Sequence, residues 1–205
     1  MARFVIRFDL RAPDFGAPVA DLYPAAIEMA AWADRLGAEA IVLSEHHSAD
    51  DGYMSAPLAL AGAILGATRE APVSVQALLV PLHDPIRLAE DIGALDLVSH
   101  GRFSVVAGLG YRPEEYELFG VPWKGRGALM EEKLRVMVQA WTGQPFEYRG
   151  TTVQVCGLWP YVVGAGTPMV GVPLGLNLIN GSTVCGDPIC SAPCSTTSST
   201  AAATG

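Results

Sequence analysis

Apolar residues in the first 155 positions recur with two alternating periods. Phe4, Ile6, Phe8 and Leu10 occupy every second position between Arg3, Val5, Arg7 and Asp9, which predicts a strand with one buried face. From Asp21 the spacing changes: Leu22, Ala26, Met29, Ala33 and Leu36 follow a helical stripe, with Asp21 as its N-cap and Gly37 as its stop. A short aliphatic run, Ala40 to Ser44, predicts a second strand. Pro57 then opens an Ala/Leu-rich helix to about Thr68. Val73 to Val80 is continuous enough for a strand buried on both faces.

The alternation continues. Asp84-Pro85 supplies a cap and a first-turn proline ahead of the stripe Leu88, Ile92 and Leu95, which stops near Ser99-His100-Gly101. Phe103 to Ala107 predicts a fourth strand, closing in Gly108-Leu109-Gly110-Tyr111. Pro113 to Phe119 predicts a short helix, and Met130, Leu134, Met137 and Trp141 mark a long one. Phe146 to Val155 predicts a small hairpin. Four βα repeats of about 35 residues, with reactive groups after the strands, predict an α/β fold of TIM-barrel type rather than a doubly wound sheet. Four is half of eight, so the expected architecture is a half-barrel over residues 1–155.

Charge sharpens that boundary. All 13 Lys and Arg lie at or before Arg149, and Asp187 is the one acidic residue among the last 55 positions. Residues 156–205 show no helical stripe and end in a Ser/Thr/Ala-rich stretch, so a disordered low-complexity tail is expected there. All four cysteines fall in it, without the paired spacing of a zinc site, and free thiols are expected. No uncharged apolar run reaches the roughly 18 residues of a membrane span. Met1-Ala2-Arg3 leads into a strand rather than a signal peptide. These features predict a cytoplasmic protein. A net charge of −8 excludes nucleic acid and anionic membranes as expected partners and favours a small molecule.

Candidate chemistry collects where the second strand ends, in Ser44-Glu45-His46-His47 followed by Asp50, Asp51 and Tyr53. His46 and His47 are candidate acid/base groups, because imidazole titrates near neutrality; the competing reading is loop histidines that only hydrogen-bond. No His-x-His or HExxH spacing supports a metal, and none is expected. His83 follows the third strand, where Asp84-Pro85 is already explained as a helix start. Gly108-x-Gly110 before Pro113 is not a dinucleotide fingerprint. Arg126 could hold a phosphate by a charge-assisted bond or lie solvated.

Several short pieces in order make a further pattern: Ser44-Glu45-His46-His47, Leu79-Val80-Pro81-Leu82-His83-Asp84-Pro85, Ser99-His100-Gly101-Arg102-Phe103, Gly108-Leu109-Gly110-Tyr111 with Glu114-Glu115-Tyr116, Phe119-Gly120-Val121-Pro122 and Trp141-Thr142-Gly143. Residues 1 to about 155 resemble the N-terminal half of the bacterial luciferase-like flavin or deazaflavin monooxygenases. The resemblance implies a TIM-barrel oxidoreductase binding FMN or a deazaflavin (coenzyme F420) and acting on a small organic substrate. It implies His46 as the catalytic histidine. It places Glu45, Leu79, Val80, Gly108, Tyr111 and Arg126 at the cofactor, and His47 and Tyr53 toward the substrate. It also implies a non-prolyl cis peptide at Leu79-Val80. The thiol that luciferases carry in the fourth strand falls here at Gly108. The second half-barrel has no counterpart in residues 156–205, so the alternative expectation is a truncated or frame-shifted remnant that binds flavin weakly or self-associates as a homodimer through its open edge.

Overall fold

A computed structural model describes residues 3–155. The expected tail and its cysteines lie outside these residues. The element order is β1 (Val5–Phe8), α1 (Val19–Arg35), β2 (Ala40–Leu43), α2 (Pro57–Ala67), β3 (Val73–Leu78), a 3-10 turn (Val80–Leu82), α3 (Pro85–Ser99), β4 (Phe103–Ala107), α4 (Pro113–Leu118), α5 (Arg126–Ala140) and the hairpin β5 (Phe146–Tyr148) and β6 (Thr151–Val153). The four long-range strands form one parallel sheet in the order β1-β2-β3-β4. Sequential order without a reversal is the order of a barrel and not of a doubly wound sheet.

Strand alternation divides the sheet into two faces. Phe8, Ile41, Leu43, Val73, Val75, Phe103 and Val105 point into the helix layer and join Ala30, Ile64, Leu88, Ile92 and Met137 in one core. The register Arg7, Val42, Ser74, Ser104 runs across the other face, with Gln76 beside Val106. That face is mixed in composition, Arg7, Ser74, Gln76 and Ser104 lying among Val42 and Val106.

Several elements differ from the sequence pattern for physical reasons. Helix α1 starts at Val19 after Pro18, with Asp21 inside its first turn and no side-chain cap. Its buried stripe is Ala26, Ala30 and Ala33, while Met29 is 48% exposed, because small residues let the helix approach the sheet closely. Strand β3 ends at Leu78, and Val80 turns into the 3-10 segment. The cis peptide is Gln76-Ala77, not Leu79-Val80, and lies where the β3–β4 register shifts between Gln76 and Leu78. In contrast, Asp84 caps α3 as expected, its Oδ1 accepting from the N–H groups of Ile86 and Arg87 at 3.0 Å each.

The N-terminal side of the sheet is stitched by two charged groups. The Asp34 carboxylate accepts from the N–H groups of Arg69, Glu70 and Ala71 at 2.8, 3.0 and 2.6 Å. Burial pushes its pKa up, but these bonds outweigh burial and hold it below the usual carboxylate range. Arg102 donates to the carbonyls of Leu65, Thr68 and Ala71 at 3.2, 3.3 and 2.9 Å. No helix among the described residues is long and apolar enough to cross a membrane.

Candidate active site

The segment leaving β2 places its side chains at alternating depths. Glu45 is 2% exposed. Its Oε1 accepts from His47 Nε2 at 3.1 Å and His83 Nε2 at 2.8 Å, and its Oε2 accepts from the Leu79 N–H. Burial alone would raise its pKa, but the bonds from His47, His83 and Leu79 prevail and lower it from 4.5 to about 2. An ionised carboxylate therefore ties the β2 tip to the loop after β3. Lys133 of α5 supports that loop from the other side, donating from Nζ to the carbonyls of Pro81 at 2.7 Å and His83 at 2.5 Å. Burial lowers its pKa.

His46 lies one layer higher, with a side chain 17% exposed. Its Nδ1 is 2.8 Å from Oε1 of Glu115, a fully buried side chain at the start of α4. The same oxygen accepts the His47 backbone N–H at 3.0 Å and lies 3.5 Å from Arg112 Nη1, which donates to the His47 carbonyl at 2.9 Å. A carboxylate against Nδ1 assigns the proton to Nδ1 and leaves Nε2 as an acceptor. The Tyr111 hydroxyl is 3.5 Å from that Nε2, at the limit of a hydrogen bond. The rings of Tyr53 and Tyr111 meet His46 edge-on at 4.7 and 5.4 Å. Together with Arg11, Asp51 and Arg112 they line a cavity of about 400 Å³, within the size range of small-molecule sites.

The loop after His47 is fixed by bonds to the segment that follows the first strand. Asp51 accepts from Arg11 Nε at 2.5 Å, the Asp51 carbonyl accepts the Ala12 N–H at 2.7 Å, and Met54 N–H reaches the Asp9 carbonyl at 3.0 Å.

A second cluster flanks the site. Leu79, Leu82 and Tyr116 are buried together with Val121 and Trp123 packed against them. Gly108 donates its N–H to the Leu78 carbonyl at 2.7 Å, and a Cβ there would sit 2.6 Å from Ala77 Cβ, so the Ala77 methyl group occupies the space a side chain at 108 would need. Tyr116 stacks edge-on against Trp123 at 5.0 Å, and the Arg126 guanidinium lies 3.6 Å from the centre of the Trp123 ring. The Arg126 Nε and Glu115 Oε2 atoms are buried without a hydrogen-bond partner among the described residues.

These positions sort the candidate residues. His46, Tyr53 and Tyr111 face one cavity. Glu45 and Val80 lie beneath it: Glu45 has its carboxylate taken by protein donors, and Val80 is fully buried in the main core. His47 is 6% exposed, bonded to Glu45 and edge-on to Phe119 at 4.7 Å. Arg126 joins the Tyr116 and Trp123 pair rather than the His46 cavity. Sequence reasoning assigned no role to Glu115, Arg112 or Lys133, and left His83 as part of a helix start. For Glu115 the signal was an acid in the first turn of a short helix after the glycine loop. Among the described residues no group of three His, Cys, Asp or Glu is arranged to hold a metal ion.

The model of the luciferase-like monooxygenase family matches residues 8–173, past the charge break near residue 155. The chain belongs to the luciferase-like monooxygenase family. It is 31% identical over 115 residues to the alkanal monooxygenase beta chain of Photorhabdus luminescens, covering 56% of this chain and 36% of that one. It is 35% identical over 114 residues to an uncharacterised protein of Mycobacterium tuberculosis, covering 55% of this chain and 40% of that protein. The chain thus spans less than half the length of these curated relatives. Among solved structures, the oxygenating constituent of 3,6-diketocamphane monooxygenase from Pseudomonas putida, in complex with FMN, superposes with a TM-score of 0.73 at 23% identity, covering 83% of this chain and 50% of that one. At that identity the likeness establishes the fold, a parallel β/α arrangement matching half of a barrel.

Proposed function

We propose that the chain acts as a flavin-dependent oxidoreductase of the luciferase-like type on a small organic substrate, with His46 as its acid/base group. The observation that carries this reading is the His46 imidazole itself. Its Nδ1 is committed to buried Glu115 and its Nε2 stands beside Tyr53 and Tyr111 in the cavity. FMN is favoured over coenzyme F420 because a solved relative of this fold holds FMN.

The residues present fit such a group. Gly108, packed against the Ala77 methyl group and the Leu79 side chain, adds no side chain of its own there. Arg126 is a cation fixed by an aromatic face, with a buried Nε lacking an acceptor among the described residues, and suits a phosphate oxygen. Leu79, Gly108 and Tyr111 would border the ring and Arg126 the phosphate, with Glu45 and Val80 supporting them from below. A bound reduced flavin supplies the electrons for oxygen chemistry. The chain's own contribution is the handling of protons and water. Glu115 holds His46 in the Nδ1–H tautomer, so Nε2 takes up a proton from the cavity and returns it, the buried carboxylate stabilising the imidazolium between the two events. Tyr53 and Tyr111 close over the imidazole and limit water. His47 acts through Glu45, and Tyr53 borders the substrate.

Titration of the purified chain with oxidised and reduced FMN, followed by assay with an alkanal and a cyclic ketone in air, tests the reading. Retained flavin and oxygenated product are expected, with H46A retaining flavin and losing turnover. Absence of both retained flavin and product would refute it. Binding without turnover by the unaltered chain would support instead a flavin-binding remnant.

A further inference from the structure

The concave face of the sheet holds a cation that the proton chemistry above does not use. Arg7 projects from β1 on the face opposite Phe8, in register with Val42. Its guanidinium is fixed across three strands. Nε donates to Ser44 Oγ at 3.2 Å, and Nη2 donates to Ser44 Oγ at 2.8 Å and to the Gln76 carbonyl at 3.0 Å. Both acceptors are neutral. An arginine fork has five N–H donors, so these three bonds leave the two hydrogens of Nη1 without a partner among the described residues.

Six of the other ten arginines are paired with a carboxylate, while Arg102 is spent on backbone carbonyls and Arg126 lies on the Trp123 ring. Arg3, Arg11, Arg87, Arg112, Arg135 and Arg149 each lie against an Asp or Glu. Arg7 has no carboxylate within salt-bridge distance among the described residues, in a chain of net charge −8, and it is exposed. It is held in place by groups that do not neutralise it. A fixed, uncompensated guanidinium is preorganised for an anion, since the entropy of ordering the side chain is already spent before the ligand arrives. Its place is the functional end of the sheet: Ser44 is two residues before His46, and the Gln76 carbonyl belongs to the irregular step of β3.

We infer that Arg7 is a binding residue for a planar, delocalised anion with two adjacent acceptor atoms, received on the concave face at the tips of β1, β2 and β3. Two sources carry that chemistry. One is the deprotonated pyrimidine edge of a reduced isoalloxazine, where a nearby positive charge tunes the ring. The other is a carboxylate on the substrate. The first source rests on the flavin reading above; the second does not.

The test compares the full chain with R7Q and R7K under anaerobic conditions, measuring dissociation constants for reduced FMN, oxidised FMN and benzoate. With the ring as the source, the unaltered chain prefers reduced over oxidised FMN, R7Q loses about tenfold of that preference, and R7K restores part of it through charge without the fork. With a carboxylate as the source, the two flavin forms bind alike, while benzoate binding weakens about tenfold in R7Q. Either result supports an anion site at Arg7. If R7Q, folded by circular dichroism, matches the unaltered chain for all three probes, Arg7 is a clamp between strands and the inference is overturned. If R7Q does not fold, R7K decides: equality with the unaltered chain for every probe overturns the inference, and a weakened response to reduced FMN or benzoate supports it. A chain that retains neither flavin form refutes the flavin reading alone, and the benzoate arm still decides the role of Arg7.

Discussion

Glu45 and Glu115 are both carboxylates with no exposed side-chain surface, and each is bonded to a histidine of the same loop. Their surroundings give them opposite roles. Glu45 accepts from two imidazoles and a backbone N–H, using both oxygens. Both oxygens are engaged, and the bonds to His83 and Leu79 join the β2 tip to the loop after β3. Glu115 collects its partners on Oε1 and leaves Oε2 with none among the described residues. One of those partners is the side chain that faces the cavity. A satisfied buried charge holds structure, whereas a partly satisfied one lends its field to a neighbour that changes charge.

Removing the Glu45 carboxylate breaks the contrast most. E45A strands His47, His83 and the Leu79 N–H, and is expected to cost about 3 to 5 kcal/mol in urea unfolding, the range for opening a buried charged pair. The same group sets an acid limit. Its folded pKa of about 2 lies below the ordinary 4.5, so its contribution is complete above about pH 4.5 and is lost as pH falls toward about 2, on the order of 3 kcal/mol. Unfolding curves across that window should show a smaller loss in E45Q than in the unaltered chain, the remainder coming from other lowered carboxylates such as Asp34.

H46A should separate function from stability. Turnover is expected to fall by at least about 100-fold, with a smaller loss of urea midpoint than E45A because Glu115 keeps the His47 N–H as a donor. G108A probes the packing at that position: its Cβ meets Ala77 at 2.6 Å, and overpacking of this kind costs about 1 to 3 kcal/mol, read as a lower midpoint together with weaker FMN retention. The mildest change, E115Q, keeps an oxygen near Nδ1 and removes the charge. It is expected to lower kcat about tenfold and to shift its pH profile, leaving KM nearly constant.

Local signals made much of the fold legible. Asp84-Pro85 marked the start of α3 because cap and first turn are neighbours in sequence, and Phe103 to Ala107 emerged as β4 with the expected bounds. The departures came where distant parts of the chain decide. Helix α1 buries Ala26, Ala30 and Ala33 because the sheet beneath it admits only small residues, which a stripe that includes Met29 does not reveal. Val80 belongs to a 3-10 turn after β3 ends at Leu78, although its aliphatic run continues the strand pattern. His46 was found from its place after a strand, but its partner Glu115 lies 69 residues away. No periodicity reports a contact of that span, and the same holds for the reach of Arg7 to Gln76. Residue types told what could react, and topology told which of them meet.

The indole of Trp123 beneath the Arg126 guanidinium gives the molecule a built-in optical gauge. Emission from an indole responds to a charge at its face. With the phosphate role proposed for Arg126, inorganic phosphate, which is colourless, is expected to draw the guanidinium toward itself and alter Trp123 emission without any flavin in the cuvette. Trp141, buried and bonded through Nε1 to the Ala89 carbonyl at 3.0 Å, supplies a steady background. Phosphate occupancy thereby becomes a quantity that light can follow separately from ring binding.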